Sequence, residues 1–162
     1  MNLRVVNTTP LLFLSKIGKL ELLHLGVDRV YVPTSVLREL RVVQDEATCI
    51  IEKLLGTWLE EKSCTQLSLL SVAKGSLHEG EAEVIAIALE YNIRDVALDD
   101  LDARRFARRI GLQPIGTFGL LLAAKRANLI PKVLPEIQAL QRAGFYASEA
   151  LVKRILTEAN ET

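Results

Sequence analysis

What most limits how this chain can fold is the shortness of its β-branched runs. Leu3-Arg4-Val5-Val6, Val30-Tyr31-Val32-Pro33, Asp95-Val96-Ala97-Leu98 and Gln113-Pro114-Ile115 are three or four residues long, and Thr57-Trp58-Leu59-Glu60-Glu61 is a further strand candidate. Most are followed by a segment whose apolar residues recur at helical spacing. A strand that leads into a helix makes no tight hairpin, so the next strand lies parallel to it. The expected fold is therefore an α/β three-layer α/β/α sandwich with a short-stranded parallel sheet. In such a sheet, ligands sit at the carboxyl ends of the strands.

The helical segments follow from their apolar spacing and breakers. Leu11, Leu12, Leu14 and Ile17 form the first, with Gly18 separating it from a short one over Leu20, Leu22 and Leu23. Thr34 or Ser35 caps a helix carrying Val36, Leu37, Leu40 and Val43, and Gly56 stops another with Cys49, Ile50, Leu54 and Leu55. Further helices are read over Leu67 to Val72, Glu79 to Tyr91, Ala103 to Ile110, Thr117 to Asn128, Pro131 to Ala143 and Ser148 to Ala159. No repeat or linker interrupts the series, so residues 1–162 read as a single domain.

Composition narrows the function classes. The charge-free stretches Val5 to Ser15 and Ile110 to Ala124 are too short for a membrane span and contain turn residues. Two cysteines without a CxxC pair and two histidines support neither a disulfide framework nor a zinc ribbon, and the thiols fit a cytoplasmic protein. Neither GxGxxG, GxxxxGK[ST] nor GxSxG occurs, which disfavours a Rossmann dehydrogenase, a P-loop nucleotidase and a serine hydrolase. Twenty Lys+Arg balance 20 Asp+Glu, so a polyanion would need a local basic patch.

Three strand ends carry polar groups: Asn7, Thr8 and Thr9; Asp99 and Asp100; Gly116 and Thr117. A parallel sheet brings them to one edge, where Glu39 and either Glu81 or Glu83 can join from helices. Clustered carboxylates are costly without a cation among them, and oxygen ligands favour magnesium or manganese. Such a metal polarises a phosphodiester and acidifies a bound water, so phosphodiester hydrolysis is the natural chemistry. Arg104, Arg105, Arg108 and Arg109 begin one turn after Asp100 and can hold the phosphates of a polyanion.

Val5-Val6-Asn7-Thr8-Thr9-Pro10-Leu11, Gly80-Glu81-Ala82-Glu83-Val84-Ile85-Ala86 and Leu98-Asp99-Asp100-Leu101-Asp102-Ala103-Arg104 resemble PIN domains, in a prokaryotic branch related to VapC-type toxins. Ile115-Gly116-Thr117, Leu120-Leu121 and the run from Lys125 to Pro131 extend the resemblance from Leu3 to about Ala159. It implies an acidic pocket for magnesium or manganese and ribonuclease activity on single-stranded RNA. It also implies an antitoxin protein as partner and a homodimer. Carried over by position, the catalytic set is Asn7, Glu39, Glu81 and Asp100. Metal ligands are Glu81, Asp99 and Asp100, with hydroxyl support from Thr8, Thr9 and Thr117. Asn7 departs from the family, which usually has Asp there, and an amide oxygen ligates a hard cation without adding charge.

Each candidate also has a purely structural reading. Asp99-Asp100 can cap the next helix, Glu39 can pair with Arg38 or Arg41, and the arginines can form a solvated face beside Asp102. One of Glu81 and Glu83 is expected in solvent. His24 and His78 receive no role; Trp58 and Phe145-Tyr146 are of a type that stacks on bases, but with so few aromatics in the chain they read as core or interface anchors. Two functions stand: a metal-dependent ribonuclease of toxin type, and a catalytically weakened module that binds RNA or a protein. A phospho-acceptor receiver fits poorly, because its acidic pair would follow the first strand.

Overall fold

The computed structural model describes residues 1–75 and 77–162. Five strands, β1 Leu3–Val6, β2 Arg29–Pro33, β3 Leu59–Lys62, β4 Asp95–Ala97 and β5 Gln113–Ile115, form one sheet in the order β3-β2-β1-β4-β5. Every pairing is parallel. The helices among the described residues are α1 Thr8–Lys16, α2 Thr34–Val43, α3 Glu46–Leu54, α4 Leu67–Lys74, α5 Glu79–Glu90, α6 Leu101–Arg109, α7 Thr117–Arg126, α8 Leu134–Arg142 and α9 Glu149–Glu158.

Strand residues alternate between two cores, as the two-residue period of a strand demands. Val6, Val30, Val32 and Ala97 pack with Leu11, Leu14, Leu120, Leu121 and Ile137 on one face. Val5, Val96 and Leu98 pack with Ile85, Ile87, Ala103 and Ala107 on the other. Both sheet faces are thus covered, which gives the expected three layers and the apolar strands typical of a parallel sheet.

The amino end of the sheet is fastened by charge. Arg4, only 4% exposed, donates from Nε to Asp95 Oδ1 at 2.7 Å and from Nη2 to Oδ2 at 3.1 Å. Arg4 and Asp95 are also register partners across β1 and β4. This bidentate pair fixes how the two central strands align.

Helix starts differ from the periodicity at α3, α6 and α8: α6 begins at Leu101, ahead of Ala103, because Asp100 caps it. α3 begins at Glu46, ahead of Cys49, because the Asp45 side chain accepts from Thr48 N at 2.9 Å and from Thr48 Oγ1 at 2.8 Å. α8 begins at Leu134, beyond Pro131, because Glu161 accepts from Val133 N and Leu134 N at 2.8 and 3.1 Å.

Candidate active site

The strand order places a topological switch between β1 and β4: the chain runs from β1 to β2 on one side and from β4 to β5 on the other. A crevice opens beyond the carboxyl ends of two such strands. Asn7 follows β1 directly, its N–H donating to Ala97 O of β4 at 3.0 Å. It occupies the cap position of α1, yet its side chain makes no capping hydrogen bond. Instead Oδ1 points at α5, only 3.3 Å from where a Cβ on Gly80 would stand. Glycine at position 80 is what admits the Asn7 amide so close to the helix.

The next residue along α5 is Glu81, a carboxylate only 8% exposed. Burial pushes its pKa up, and the negative charge of Asp100 pushes it further, with His78 acting in the opposite sense. Glu81 and Asp100 are therefore electrostatic neighbours. Asp100 is the cap of α6, with Oδ2 accepting from Ala103 N at 2.9 Å. Capping occupies one carboxylate oxygen and leaves Oδ1 without a hydrogen-bond partner among the described residues.

Among the described residues, no three His, Cys, Asp or Glu side chains come together as a metal-holding group. What converges is two mutually repelling carboxylates and one amide oxygen. Magnesium keeps several of its waters and is held through one or two carboxylates plus substrate phosphates. The donor set fits that mode, and a divalent cation would relieve the repulsion that raises Glu81.

Asp99 diverges from Asp100. Its carboxylate accepts from Thr117 N at 2.7 Å and from Thr117 Oγ1 at 2.6 Å, tying β4 to the start of α7. Burial pushes the Asp99 pKa up, while the Thr117 hydrogen bonds and the Arg104 charge pull it down less strongly. The Thr117 hydroxyl supports Asp99 and makes no contact with Asp100. Gly116 allows this packing: a Cβ there would lie 3.0 Å from Asp99 Oδ1 and 3.3 Å from Arg104 Nη1.

Glu39 is exposed and accepts from Thr8 Oγ1 at 3.1 Å, which joins α2 to the end of β1. Arg41 pairs with Glu52 and Glu61, leaving Glu39 to Thr8. Thr9 lines the crevice with Asp99 and Asp100. Glu83, 9% exposed, lies on another side of α5, where its charge helps raise the Cys64 thiol pKa. The expectation that one of the two glutamates is solvated is corrected, because α5 is covered on both sides.

The four arginines do not share one face. Arg105, Arg108 and Arg109 line a shallow outer depression with Phe106, whereas Arg104 turns into the crevice beside Asp99. A helix turns about 100° per residue, so neighbours such as Arg104 and Arg105 diverge. Two residues that sequence reasoning passed over, Arg154 and Glu158 from α9, also line the crevice, as does Tyr146 from the loop before it. Phe145 is an anchor as expected, meeting Phe13 and Phe118 with ring centroids 5.3 Å apart in each case, but Tyr146 is 88% exposed. His78, given no role, sits at the cap position of α5 near Glu81.

A protein-family model described as a PIN domain matches residues 3–161, which is all but the first two residues and the last. No curated protein matches the chain.

Proposed function

Because this chain belongs to the PIN-domain family, whose members are nucleases that bind RNA and generally depend on a divalent metal, we propose that it is a magnesium- or manganese-dependent ribonuclease. Its substrate would be single-stranded RNA, and its role the toxin half of a toxin-antitoxin pair. The observation that carries this reading is the Glu81 and Asp100 pair beside Asn7 at the switch point between β1 and β4.

Glu81, Asp100 and Asn7 would hold a divalent cation, which would supply positive charge to polarise a phosphodiester and acidify a water. The chain's own residues do the positioning. Glu81 is fixed by burial on α5, and Asp100 is oriented by Ala103 N with Oδ1 left for the crevice. Asp99 holds the start of α7 and so sets where Arg104 lies. Arg105, Arg108 and Arg109 offer positive charge to phosphates further along the strand. Glu39 positions Thr8 at the rim.

Val42 and Val43 on α2, and Leu67 and Val72 on α4, are exposed apolar side chains of the kind that an antitoxin or a second copy in a homodimer would cover. No helix among the described residues is long and apolar enough to cross a membrane, and the free thiols of Cys49 and Cys64 fit a cytoplasmic setting.

The test is manganese-dependent cleavage of single-stranded RNA. Asp100→Asn keeps an acceptor for Ala103 N, so the fold stays and cleavage is lost. Equal cleavage by variant and wild type would overturn the reading. Asn7 supports a second one, a PIN-like module that binds RNA or a protein after its metal site weakened. Asn7→Asp separates the two: cleavage that appears only in this variant assigns the natural chain to the binding class.

A further inference from the structure

The crevice continues past the acidic pair into a pocket of about 530 Å³ between the sheet edge and α9. That volume suits a nucleotide-sized ligand. One wall carries Arg104, whose Nε is buried and has no hydrogen-bond partner among the described residues. The opposite wall carries Arg154, on the exposed side of α9. Burial, the charge of Arg108 and the charge of Arg154 all disfavour the Arg104 cation, and Asp99 alone opposes them. Asp99 is itself engaged with Thr117 at both carboxylate oxygens. Two cations thus line one cavity, an arrangement that an anion completes.

At the mouth, Tyr146 is 88% exposed. Its backbone is nevertheless held, because Phe145 next to it is pinned between Phe13 and Phe118. A fixed loop that presents an uncovered aromatic ring beside two guanidinium groups matches the needs of a base attached to a phosphate. Glu158, one turn beyond Arg154, places a carboxylate on the rim and confines the anion to the arginine side.

We propose that Arg104 and Arg154 bind one phosphate of single-stranded RNA in this pocket, with the adjacent base stacked on Tyr146. The subsite holds the nucleotide next to the acidic pair and so sets where the strand crosses it. Its selectivity is for an unpaired base, because a base within a duplex has no free face for Tyr146. The inference rests on the ribonuclease reading, and its test uses binding, which needs no metal.

Affinity of a short fluorescein-labelled single-stranded RNA is measured by anisotropy in EDTA across a salt series, alongside manganese-dependent cleavage. Arg154→Ala should weaken binding about ten-fold and reduce the slope of log affinity against log salt by about 0.7, the value for one phosphate contact on a single strand. Tyr146→Ala should weaken binding about ten-fold with the slope unchanged, and Tyr146→Phe should restore it. Both side chains are exposed, so neither change threatens the fold. Wild-type affinity in both alanine variants overturns the subsite, while cleavage by the wild type leaves the nuclease reading standing. Wild-type binding that falls in the variants, with no cleavage in manganese, supports the subsite and overturns the nuclease. Displacement of the RNA by an equal concentration of a nucleoside 5′-monophosphate would overturn RNA as the ligand in favour of a free nucleotide.

Discussion

Asp99 and Asp100 are adjacent carboxylates with opposite expected responses to mutation. Asp99 accepts two hydrogen bonds from Thr117, whose residue is 0% exposed. Hydrogen bonds to a charged acceptor contribute about 1.5–3 kcal/mol each. Removing the carboxylate relieves the burial that raises its pKa, which offsets part of that sum. It also strands the Thr117 N–H and hydroxyl in the core, and no other side chain caps α7, because Gly116 stands at the cap position. Asp99→Ala should therefore cost about 3 kcal/mol, or roughly 6–12 °C in Tm for a chain of this size. Asp99→Asn keeps an acceptor for the N–H, and its amide donates to the rotated hydroxyl, so the cost falls to about 1 kcal/mol. Asp100→Asn, at an exposed cap, should cost less than about 1 kcal/mol. Urea denaturation followed by circular dichroism resolves these differences as shifts in midpoint at constant slope. An Asp99→Ala protein within about 0.5 kcal/mol of wild type would refute the assignment of Asp99 to α7.

The other stability predictions concern the two ends of the fold. Asp95→Ala leaves Arg4 buried and unpaired between β1 and β4 and should cost about 3–5 kcal/mol in urea; a loss below about 1 kcal/mol would show that the pair does not fasten the strands. Burial works to raise the Glu161 pKa, but hydrogen bonds from Val133 N, Lys125 and Leu134 N, with the Lys125 charge, hold it below its ordinary 4.5. A lowered carboxylate contributes stability above its unfolded pKa and loses it as pH falls through the folded value. Glu161→Gln should accordingly flatten the decline in Tm as pH drops below about 4.5, and unchanged curvature would count against the contact.

The layers were legible because their signals are local. The strand and helix periods of Leu3–Val6, Glu79–Glu90 and Gln113–Ile115 need no knowledge of distant residues. The strand-end rule likewise placed Asn7 after β1 and Asp100 after β4, the two strands that flank the switch point. What stayed hidden depends on contacts far along the chain. The start of α8 is set by Glu161, 28 residues beyond Val133. The parting of Asp99 and Asp100 depends on the backbone after β4 and on Thr117, 18 residues away from Asp99. Arg154 and Tyr146 line the crevice only because α9 folds back beside α7, which no spacing in their own neighbourhood encodes.

The pairing of β1 with β4 also sets when the crevice can exist. Arg4 must wait for Asp95, 91 residues later, before the two central strands can align. At about 5–20 residues per second, synthesis takes roughly 5–18 s to cover that interval. Until then β1 can pair only with β2, and Asn7 has neither Glu81 nor Asp100 beside it. A nascent chain therefore carries a half-sheet with no acidic pair. Whatever chemistry the crevice performs begins only after the strands and helices that follow Asp95 have been made and docked.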